Sequence, residues 1–201
     1  MAFTIFLVDD NPGVLKGLSR RLRVKGYDVE AFSSPVEFLA QHDPAVPGCA
    51  ILDVAMPNLD GLALQEALTT NGVERPVIFL TGQGSIPTSV RAMKAGALDF
   101  LTKPVDDDDL FDAIAKAEQK DSETRRSQAE LSAIHARLAT LTPREREVLT
   151  HVIAGRLNKQ IAGDLGTVEQ TIKVHRGRVM EKLGVRNMVA LMRLMAKVEA
   201  L

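Results

Sequence analysis

The chain has 201 residues, enough for two small domains or one large one, each with a buried core. Aromatic residues make up 4% and Trp is absent, so the core must be mainly aliphatic. The single cysteine, Cys49, lies in an apolar run, which argues for a reducing compartment and against disulfides or a cysteine-based metal site. No signal peptide is evident, and no segment approaches the roughly 20 consecutive apolar residues of a membrane span. We therefore predict a cytoplasmic protein with no membrane partner.

The small net charge of −1 hides an asymmetry between the two parts of the chain. Residues 1–120 hold 11 Lys and Arg against 17 Asp and Glu, a net charge of −6. Residues 121–201 hold 14 against 9, a net charge of +5. Only the second part is therefore expected to meet a polyanion such as nucleic acid.

Apolar segments alternate with helical patterns through about the first 120 residues. The predicted strands are 3–8, 27–32, a run ending at Asp53, 76–80 and 98–101. Asn11 caps the first intervening helix and a capping box from Ser34 to Glu37 opens the second, each with Pro at the first helical position, and the Asp60-Gly61 turn leads into the third. A further helix is predicted at 86–95, and an acidic run at 106–109 precedes the last one. Five such alternations predict a parallel, doubly wound sheet.

Polar residues follow the predicted strands at the points where they end. Asp9 and Asp10 follow the first strand, Asp53 closes the third, Thr81 the fourth, and Lys103 follows the fifth. The carboxyl ends of parallel strands meet at one edge, which is where open α/β sheets place their sites. We therefore expect these five side chains to lie close together.

The chemistry of this set points to phosphoryl transfer. Three neighbouring acids repel one another unless a cation intervenes, and oxygen ligands suit a hard ion such as Mg²⁺. An aspartate carboxylate can accept a phosphoryl group, while Lys103 supplies positive charge and the Thr81 hydroxyl donates to a phosphoryl oxygen. The alternative is a solvated acidic rim with an unrelated surface lysine, which requires several coincidences.

A polar helical segment follows the acidic part of the chain. Residues 119–130 keep helix formers but lose the apolar stripe, which predicts a solvated helical linker continuous with the preceding helix. Leu131, Ile134 and Leu138 then restore a stripe that is too short for a coiled coil. It could pair with a partner helix or dock onto either domain, and we expect docking.

The basic part of the chain shows a helix-turn-helix pattern. A capping box at Thr142 opens its first helix. A short helix at 158–165 is followed by a second capping box at Thr167 and a longer basic helix at 168–183, and a fourth helix begins at about residue 187. A short helix, a tight turn and a longer basic helix are typical of DNA-binding proteins.

A basic helix in the major groove contacts phosphates with Lys and Arg and reads base edges with its exposed face. An ordinary solvated cationic face is the alternative, and for His175 a packing role is as plausible as a phosphate contact. The candidate DNA-contacting residues are Lys159, Thr171, Lys173, Val174, His175, Arg176, Arg178 and Lys182.

Both halves resemble known families. The first is similar to the receiver domain of two-component response regulators. The residues that carry this similarity are Asp9-Asp10, Asp53, Met56-Pro57, Thr81, residues 92–97 and 99–101, and Lys103-Pro104. The second resembles a LuxR-type helix-turn-helix, on residues 144–149, 158–162 and 171–176. A receiver followed by a LuxR-type domain resembles the FixJ/NarL class, and the sequence of residues 90–97 favours the FixJ branch.

The resemblance implies roles for the residues at the strand ends. Asp53 would be the phosphoacceptor. Asp10 and Asp53 would ligate Mg²⁺ or Mn²⁺ together with the Ala55 backbone carbonyl, and Asp9 would act through water. Ala55 stands where Arg is common in this branch, but only its carbonyl is required for the metal.

Other implied roles concern switching and the phosphoryl group. Thr81 and Phe100 would form the switch pair, and Lys103 would contact the phosphoryl group, with the Lys103–Pro104 peptide bond cis. Gln83 stands where His is frequent, which bears on the lifetime of the phosphoryl group. In the basic half, Gly177 stands where relatives often carry a long polar or basic residue. One base or phosphate contact is therefore in question, and Arg176 is the alternative residue for it.

The resemblance implies a flavodoxin-like receiver at 1–118 with a five-stranded parallel sheet, a helical linker at 119–140 and an all-α LuxR-type helix-turn-helix domain at 141–201. A sensor histidine kinase would phosphorylate Asp53. This would control homodimerisation and promoter binding, and RNA polymerase would be a further partner. The candidate dimer-face residues are Val90, Arg91 and Lys94.

The receiver would catalyse only its own phosphoryl transfer and slow autodephosphorylation, so we do not expect an enzyme in the usual sense. Two other classes fit the residues less well. The first is a Mg²⁺-dependent enzyme with Asp53 as the nucleophile of a hydrolytic cycle, but the chain offers no separate general acid and no substrate lid. The second is an adaptor with an inert acidic pocket.

Overall fold

The computed structural model describes residues 3–82 and 86–199. The chain divides into two compact units, Met1–Arg125 and Arg126–Leu201. Gln83, together with most of the loop before the fourth predicted helix of the first unit, lies outside the described residues. Each unit has its own apolar core.

The first unit contains a five-stranded parallel sheet with the order β2-β1-β3-β4-β5. The strands are β1 (Thr4–Val8), β2 (Asp28–Phe32), β3 (Gly48–Asp53), β4 (Val77–Thr81) and β5 (Asp99–Thr102). Strands β1, β3 and β4 are buried along their whole length, as expected for apolar runs covered on both faces. The predicted doubly wound parallel sheet is therefore confirmed.

Helices cover both faces of this sheet. They are α1 (Pro12–Val24), α2 (Pro35–Gln41), α3 (Gly61–Thr70), α4 (Ile86–Lys94) and α5 (Asp107–Ala139). Leu22 of α1 and Ile114 of α5 belong to one buried cluster, which contains Ile5, Ile51 and Ile78 from the sheet. The helices α2, α3 and α4 bury their apolar side chains in a second cluster on the other face.

The predicted helix starts are confirmed with one change of detail. Asn11 accepts hydrogen bonds from the backbone N–H of Gly13 and Val14, and Ser34 accepts one from Glu37. The Glu37 carboxylate, however, bonds Ser33 rather than the backbone of the cap residue Ser34. The capping box predicted from Ser34 to Glu37 is therefore only half formed, because Glu37 reaches Ser33 instead.

Two arginines fix the loop that leads into β3. Arg75 donates to the carbonyls of residues 43 and 46, and Arg125 donates to the carbonyls of residues 44, 45 and 46. Arg125 also pairs through its Nε with the buried Asp121, at 2.9 and 3.0 Å. The neighbouring Arg125 and, above all, burial lower the pKa of Arg75 to about 10, so it remains charged at neutral pH. These bonds hold α5 against the loop at 43–46 up to the last residue of the first unit.

The helix α5 runs without interruption through the predicted linker, as its helix formers indicated. Beyond the boundary between the units, residues 126–130 are exposed, whereas Ile134 is buried and Leu138 packs against the core of the second unit. The Arg137 guanidinium also donates to the Leu183 carbonyl at 3.3 Å. The expected docking of the apolar stripe is therefore confirmed, and it takes place within the second unit.

The rest of the second unit is helical. Its elements are α6 (Pro143–Ile153), α7 (Asn158–Asp164), α8 (Glu169–Leu183) and α9 (Met188–Glu199). The predicted capping box at Thr142 is present with both of its hydrogen bonds. The one predicted at Thr167 is wrong: the cap of α8 is Val168, and no side chain makes a capping hydrogen bond there. No described helix has both the length and the apolar character needed to cross a membrane.

Candidate functional site

The strand ends bring two buried carboxylates together. Val8 pairs with Leu52 in the register of β1 and β3, so the next residues along, Asp9 and Asp53, emerge at the same edge. Asp9 is 2% exposed and Asp53 is 7% exposed. Buried carboxylates are costly unless they are paired, so this edge requires a cation.

The Lys103 ammonium bridges these two carboxylates. Its Nζ lies 2.5 Å from Asp9 Oδ2 and 2.7 Å from Asp53 Oδ1. The other carboxylate oxygens accept backbone N–H bonds from Asn11 and Ala55, both at 2.9 Å. Burial of Lys103 opposes its charge, but the bonds to Asp53 and Asp9 outweigh it, and the pKa of Lys103 is raised. Lysine and both aspartates are therefore held as one charged group.

Gly61 sets the position of the loop after Asp53. A Cβ at position 61 would lie 2.3 Å from the Asp53 carbonyl oxygen and 2.9 Å from the Phe79 ring. The Gly61 N–H bonds the Val54 carbonyl at 3.0 Å, so the start of α3 lies directly against the end of β3. The Asp60-Gly61 turn can be read from the sequence, but this contact exists only in the fold.

The predicted metal ligands are only partly gathered. Asp10 and Ala55 are exposed beside the buried Asp9 and Asp53. In residues 3–82 and 86–199, no three His, Cys, Asp or Glu side chains are grouped so as to hold a metal ion. The Lys103 ammonium lies between the two buried carboxylates instead.

The predicted switch residues lie on adjacent strands at the same edge. Thr81, at the end of β4, is 1% exposed, and Phe100, on β5, is half-buried with its ring centroid 6.1 Å from that of Phe79. The Lys103 N–H bonds the Thr81 carbonyl at 2.7 Å, and the Lys103–Pro104 peptide bond is cis, as the resemblance implied. Thr81 therefore lies next to both the charged group and β5, so a movement of its side chain would affect both.

The candidate dimer-face residues lie on α4. Val90 is 46% exposed, and Arg91 and Lys94 are exposed as well. Two further apolar side chains of the same helix, Ile86 and Met93, are 82% and 47% exposed. An apolar and basic surface is therefore open on this helix.

The candidate DNA-contacting residues fall into two groups. Lys159, Lys173, Val174 and Arg178 are exposed, whereas Thr171, His175, Arg176 and Lys182 are half-buried. The Arg176 guanidinium bonds the Asn158 side chain at 3.2 Å and lies 4.0 Å from the Met188 sulfur. Arg176 thus links α8 to α7 and to the start of α9, and the exposed cations of α8 are Lys173 and Arg178.

Lys182 has an ion-pair partner inside the second unit, and its predicted DNA contact stays a prediction. Its ammonium lies 2.6 Å from the buried Glu145 carboxylate and 3.1 Å from the Thr140 carbonyl. The Lys182 hydrogen bond, followed by the Thr142 backbone N–H, lowers the pKa of Glu145 to about 2. The sequence showed Glu145 as the second half of a capping box, but a partner 37 residues away could not be read from local spacing.

Comparisons with known proteins agree on both halves of the chain. Residues 5–115 match the response regulator receiver domain, and residues 139–195 match the bacterial regulatory proteins of the luxR family. Nodulation protein W of Bradyrhizobium diazoefficiens is 40% identical over 94% of this chain and 84% of its own length. The transcriptional regulatory protein FixJ of Rhizobium meliloti is 37% identical over 96% and 94%. A solved structure of the response regulator StyR matches with 43% identity and a TM-score of 0.86, over 98% of this chain and 100% of the other.

The Glu145–Lys182 pair predicts a pH-dependent stability of the second unit. The pKa of Glu145 is about 2 in the folded chain and 4.5 in the reference state. Between these two pH values the unfolded chain therefore binds more protons than the folded chain does. The free energy of unfolding should fall as the pH falls through that window. Lys182→Met should lower it at neutral pH by about 1–3 kcal/mol, because the buried Glu145 carboxylate loses a partner, and should weaken the pH dependence.

Urea unfolding of the full chain at neutral and acidic pH measures both effects. The control is Lys173→Met, which removes an exposed cation from the same helix and should change stability by no more than about 0.5 kcal/mol. Equal losses in both variants would show that the pair contributes nothing specific.

Proposed function

The chain belongs to the two-component response regulators with a LuxR-type DNA-binding domain, and from this we propose that phosphorylation of Asp53 controls its binding to DNA. As a member of that family it is a transcriptional regulator rather than a classical enzyme. A receiver and a helix-turn-helix domain imply a kinase and DNA as partners. We further propose that the kinase is a sensor histidine kinase and that RNA polymerase is contacted at the promoter. The predicted cytoplasmic location and domain boundaries stay predictions.

The observation that carries the phosphorylation proposal is the position of Asp53. Its carboxylate is at the carboxyl end of a central strand, with one oxygen on Lys103 and the other on the Ala55 N–H. In the proposed reaction a carboxylate oxygen forms a bond to the phosphorus of a phosphodonor while the bond to the leaving group breaks. Lys103 and the Thr81 hydroxyl would then face the transferred phosphoryl oxygens. Slow hydrolysis of the product would restore the carboxylate.

Receiver domains generally bind Mg²⁺ at an acidic pocket, and carboxylate and carbonyl oxygens are the donor types that such an ion prefers. The carboxylates of Asp9, Asp10 and Asp53 and the Ala55 carbonyl are hard oxygen donors at one edge of the sheet. We propose that Asp10, Asp53 and the Ala55 carbonyl hold Mg²⁺ or Mn²⁺, with Asp9 acting through water. The bound ion would neutralise charge on phosphoryl oxygens.

The signal would leave the pocket through Thr81 and Phe100. A phosphoryl group adds about −1.5 to −2 charge and strong acceptor oxygens, which favour an inward position of the Thr81 hydroxyl. The space that Thr81 leaves would admit the half-buried Phe100 ring and change the adjoining surface of α4 and β5. We propose that this surface, with Val90, Arg91 and Lys94, pairs two receivers.

DNA recognition is assigned to the exposed residues of α8. Lys173, Val174 and Arg178 would face the major groove, and Lys159 at the start of α7 would contact the phosphate backbone. Thr171, His175 and Arg176 remain proposed contacts at the border of this surface. A receiver pair would raise the effective concentration of the second DNA-binding domain at paired half-sites.

The first prediction on function concerns the phosphoacceptor. Asp53→Ala should abolish labelling by acetyl phosphate in the presence of Mg²⁺, because the nucleophilic carboxylate is gone. Asp10→Ala should also block labelling. The measurement is the intact mass of the protein after incubation. Asp108→Ala, which removes an exposed acid of α5, is the control and should label normally. Stoichiometric labelling of Asp53→Ala would identify a different phosphoacceptor.

A second prediction concerns the DNA surface. Lys173→Ala and Arg178→Ala should each weaken DNA binding without affecting labelling at Asp53. Each should reduce the slope of log affinity against log salt by about one, since one phosphate contact fewer releases about one counterion fewer. Arg193→Ala removes an exposed cation from α9 and should leave the slope unchanged. Unchanged slopes in both α8 variants would place the DNA surface elsewhere.

The third prediction concerns assembly. Beryllofluoride with Mg²⁺, a mimic of the phosphoryl group, should convert monomers to dimers at about tens of micromolar in sedimentation velocity. Val90→Arg should prevent this, whereas Val24→Arg, at an 80% exposed position on α1, should not. If the mimic binds and the protein stays monomeric, activation must instead work by exposing α8.

A further inference from the structure

The outward strip of α8 contains a gap in its side chains. The helix buries Ile172, Val179 and Leu183 in the core of its unit. On the opposite side, Gln170, Val174, Gly177 and Glu181 follow one another at spacings of four, three and four residues, and all are exposed. These spacings place neighbours directly above one another on a helix. Gly177 therefore interrupts the middle of the exposed strip.

Nothing in the fold requires a glycine at this position. A Cβ at position 177 would meet no atom within 4 Å, and the residue does not have the positive φ that favours glycine. Glycine is among the least favourable residues in a helix interior, because it loses the most backbone entropy. The helix therefore gives up stability at position 177 without gaining any packing.

The surroundings of Gly177 give the gap a defined chemistry. Two exposed cations border it, Lys173 one turn before and Arg178 directly after, and the exposed acid Glu181 lies one turn after it. Val174, three residues before, is 43% exposed and supplies an apolar wall. We call this surface the Gly177 notch: the bare backbone at Gly177 bordered by Lys173, Val174 and Arg178. Its centre offers no side-chain donor or acceptor.

We propose that the Gly177 notch seats the C5 methyl group of a thymine, which makes Gly177 a specificity-determining residue. The inference rests on the proposed binding of α8 in the major groove. There the flanking cations would contact phosphates. The methyl of thymine is the one apolar group that a base pair presents in that groove. The polar edge atoms of the other bases would lose water against the notch without gaining a partner.

The chain contains a matched control for the backbone effect. Gly17 lies inside α1, is exposed, and would likewise place a Cβ within 4 Å of no other atom. It belongs to the first unit, whereas the proposed DNA surface belongs to the second. Gly17→Ala and Gly177→Ala therefore make the same change in two helices, of which only one is assigned to DNA.

Calorimetry of the full-length variants tests whether the notch is needed for folding. Gly177→Ala should raise the melting temperature of its unit by about 4 °C, because it removes the helix penalty of glycine. Gly17→Ala should do the same for the first unit. A lower melting temperature for Gly177→Ala would mean that folding requires the glycine, and the proposal would be wrong.

DNA selection tests the thymine directly. Beryllofluoride-treated wild-type protein should enrich, from a random duplex library, a site with an essential thymine. Replacing that thymine by uracil should weaken wild-type binding by about fourfold, the value of one buried methyl group. Gly177→Ala should bind the thymine site at least about fourfold more weakly than wild type and should no longer distinguish thymine from uracil. Gly17→Ala should behave as wild type.

Three outcomes would overturn the proposal, and they differ in what else they affect. If uracil at every thymine of the enriched site leaves wild-type affinity unchanged, no methyl group is read. If Gly177→Ala discriminates as well as wild type, a methyl group is read but elsewhere. If wild type enriches no site at all, DNA binding by α8 is overturned together with the notch.

Discussion

The bridge from Lys103 to Asp9 and Asp53 is the interaction on which the first unit depends. Two carboxylates that are almost fully buried require a cation beside them, and the ammonium at 2.5 and 2.7 Å supplies it. This links the residue after β1, the end of β3 and the residue after β5 in one charged group. The proposed phosphoryl transfer would use the same three side chains, so the contacts that stabilise the pocket would also prepare it for chemistry.

The second unit uses its charges in two different ways. The Lys182 ammonium pairs with the buried Glu145 carboxylate inside the unit, and Arg176 links α8 to α7. Lys173 and Arg178 remain exposed on the outer side of the same helix. The number of cations on this helix therefore exceeds the number that are exposed. The role proposed for the Gly177 notch depends on these exposed cations, because they would hold it against the DNA.

The helix α5 contributes to both units, and each unit holds its own part of it. Asp121 and Arg125 tie the first part to the loop before β3, the strand that ends at Asp53. Ile134 and Arg137 tie the later part within the second unit. The intervening residues 126–130 are exposed along one continuous helix. This segment therefore has little packing of its own.

The sequence by itself determined the alternation of strands and helices, the polar residues at the strand ends and the helix-turn-helix, because apolar periodicity and capping residues are local signals. It could not assign the partner of Lys182 or show that Lys103 lies between Asp9 and Asp53. Those features join residues far apart in the chain, and only the packing of the elements decides them. The packing of the elements therefore determined which charged side chains form ion pairs inside the protein and which remain exposed.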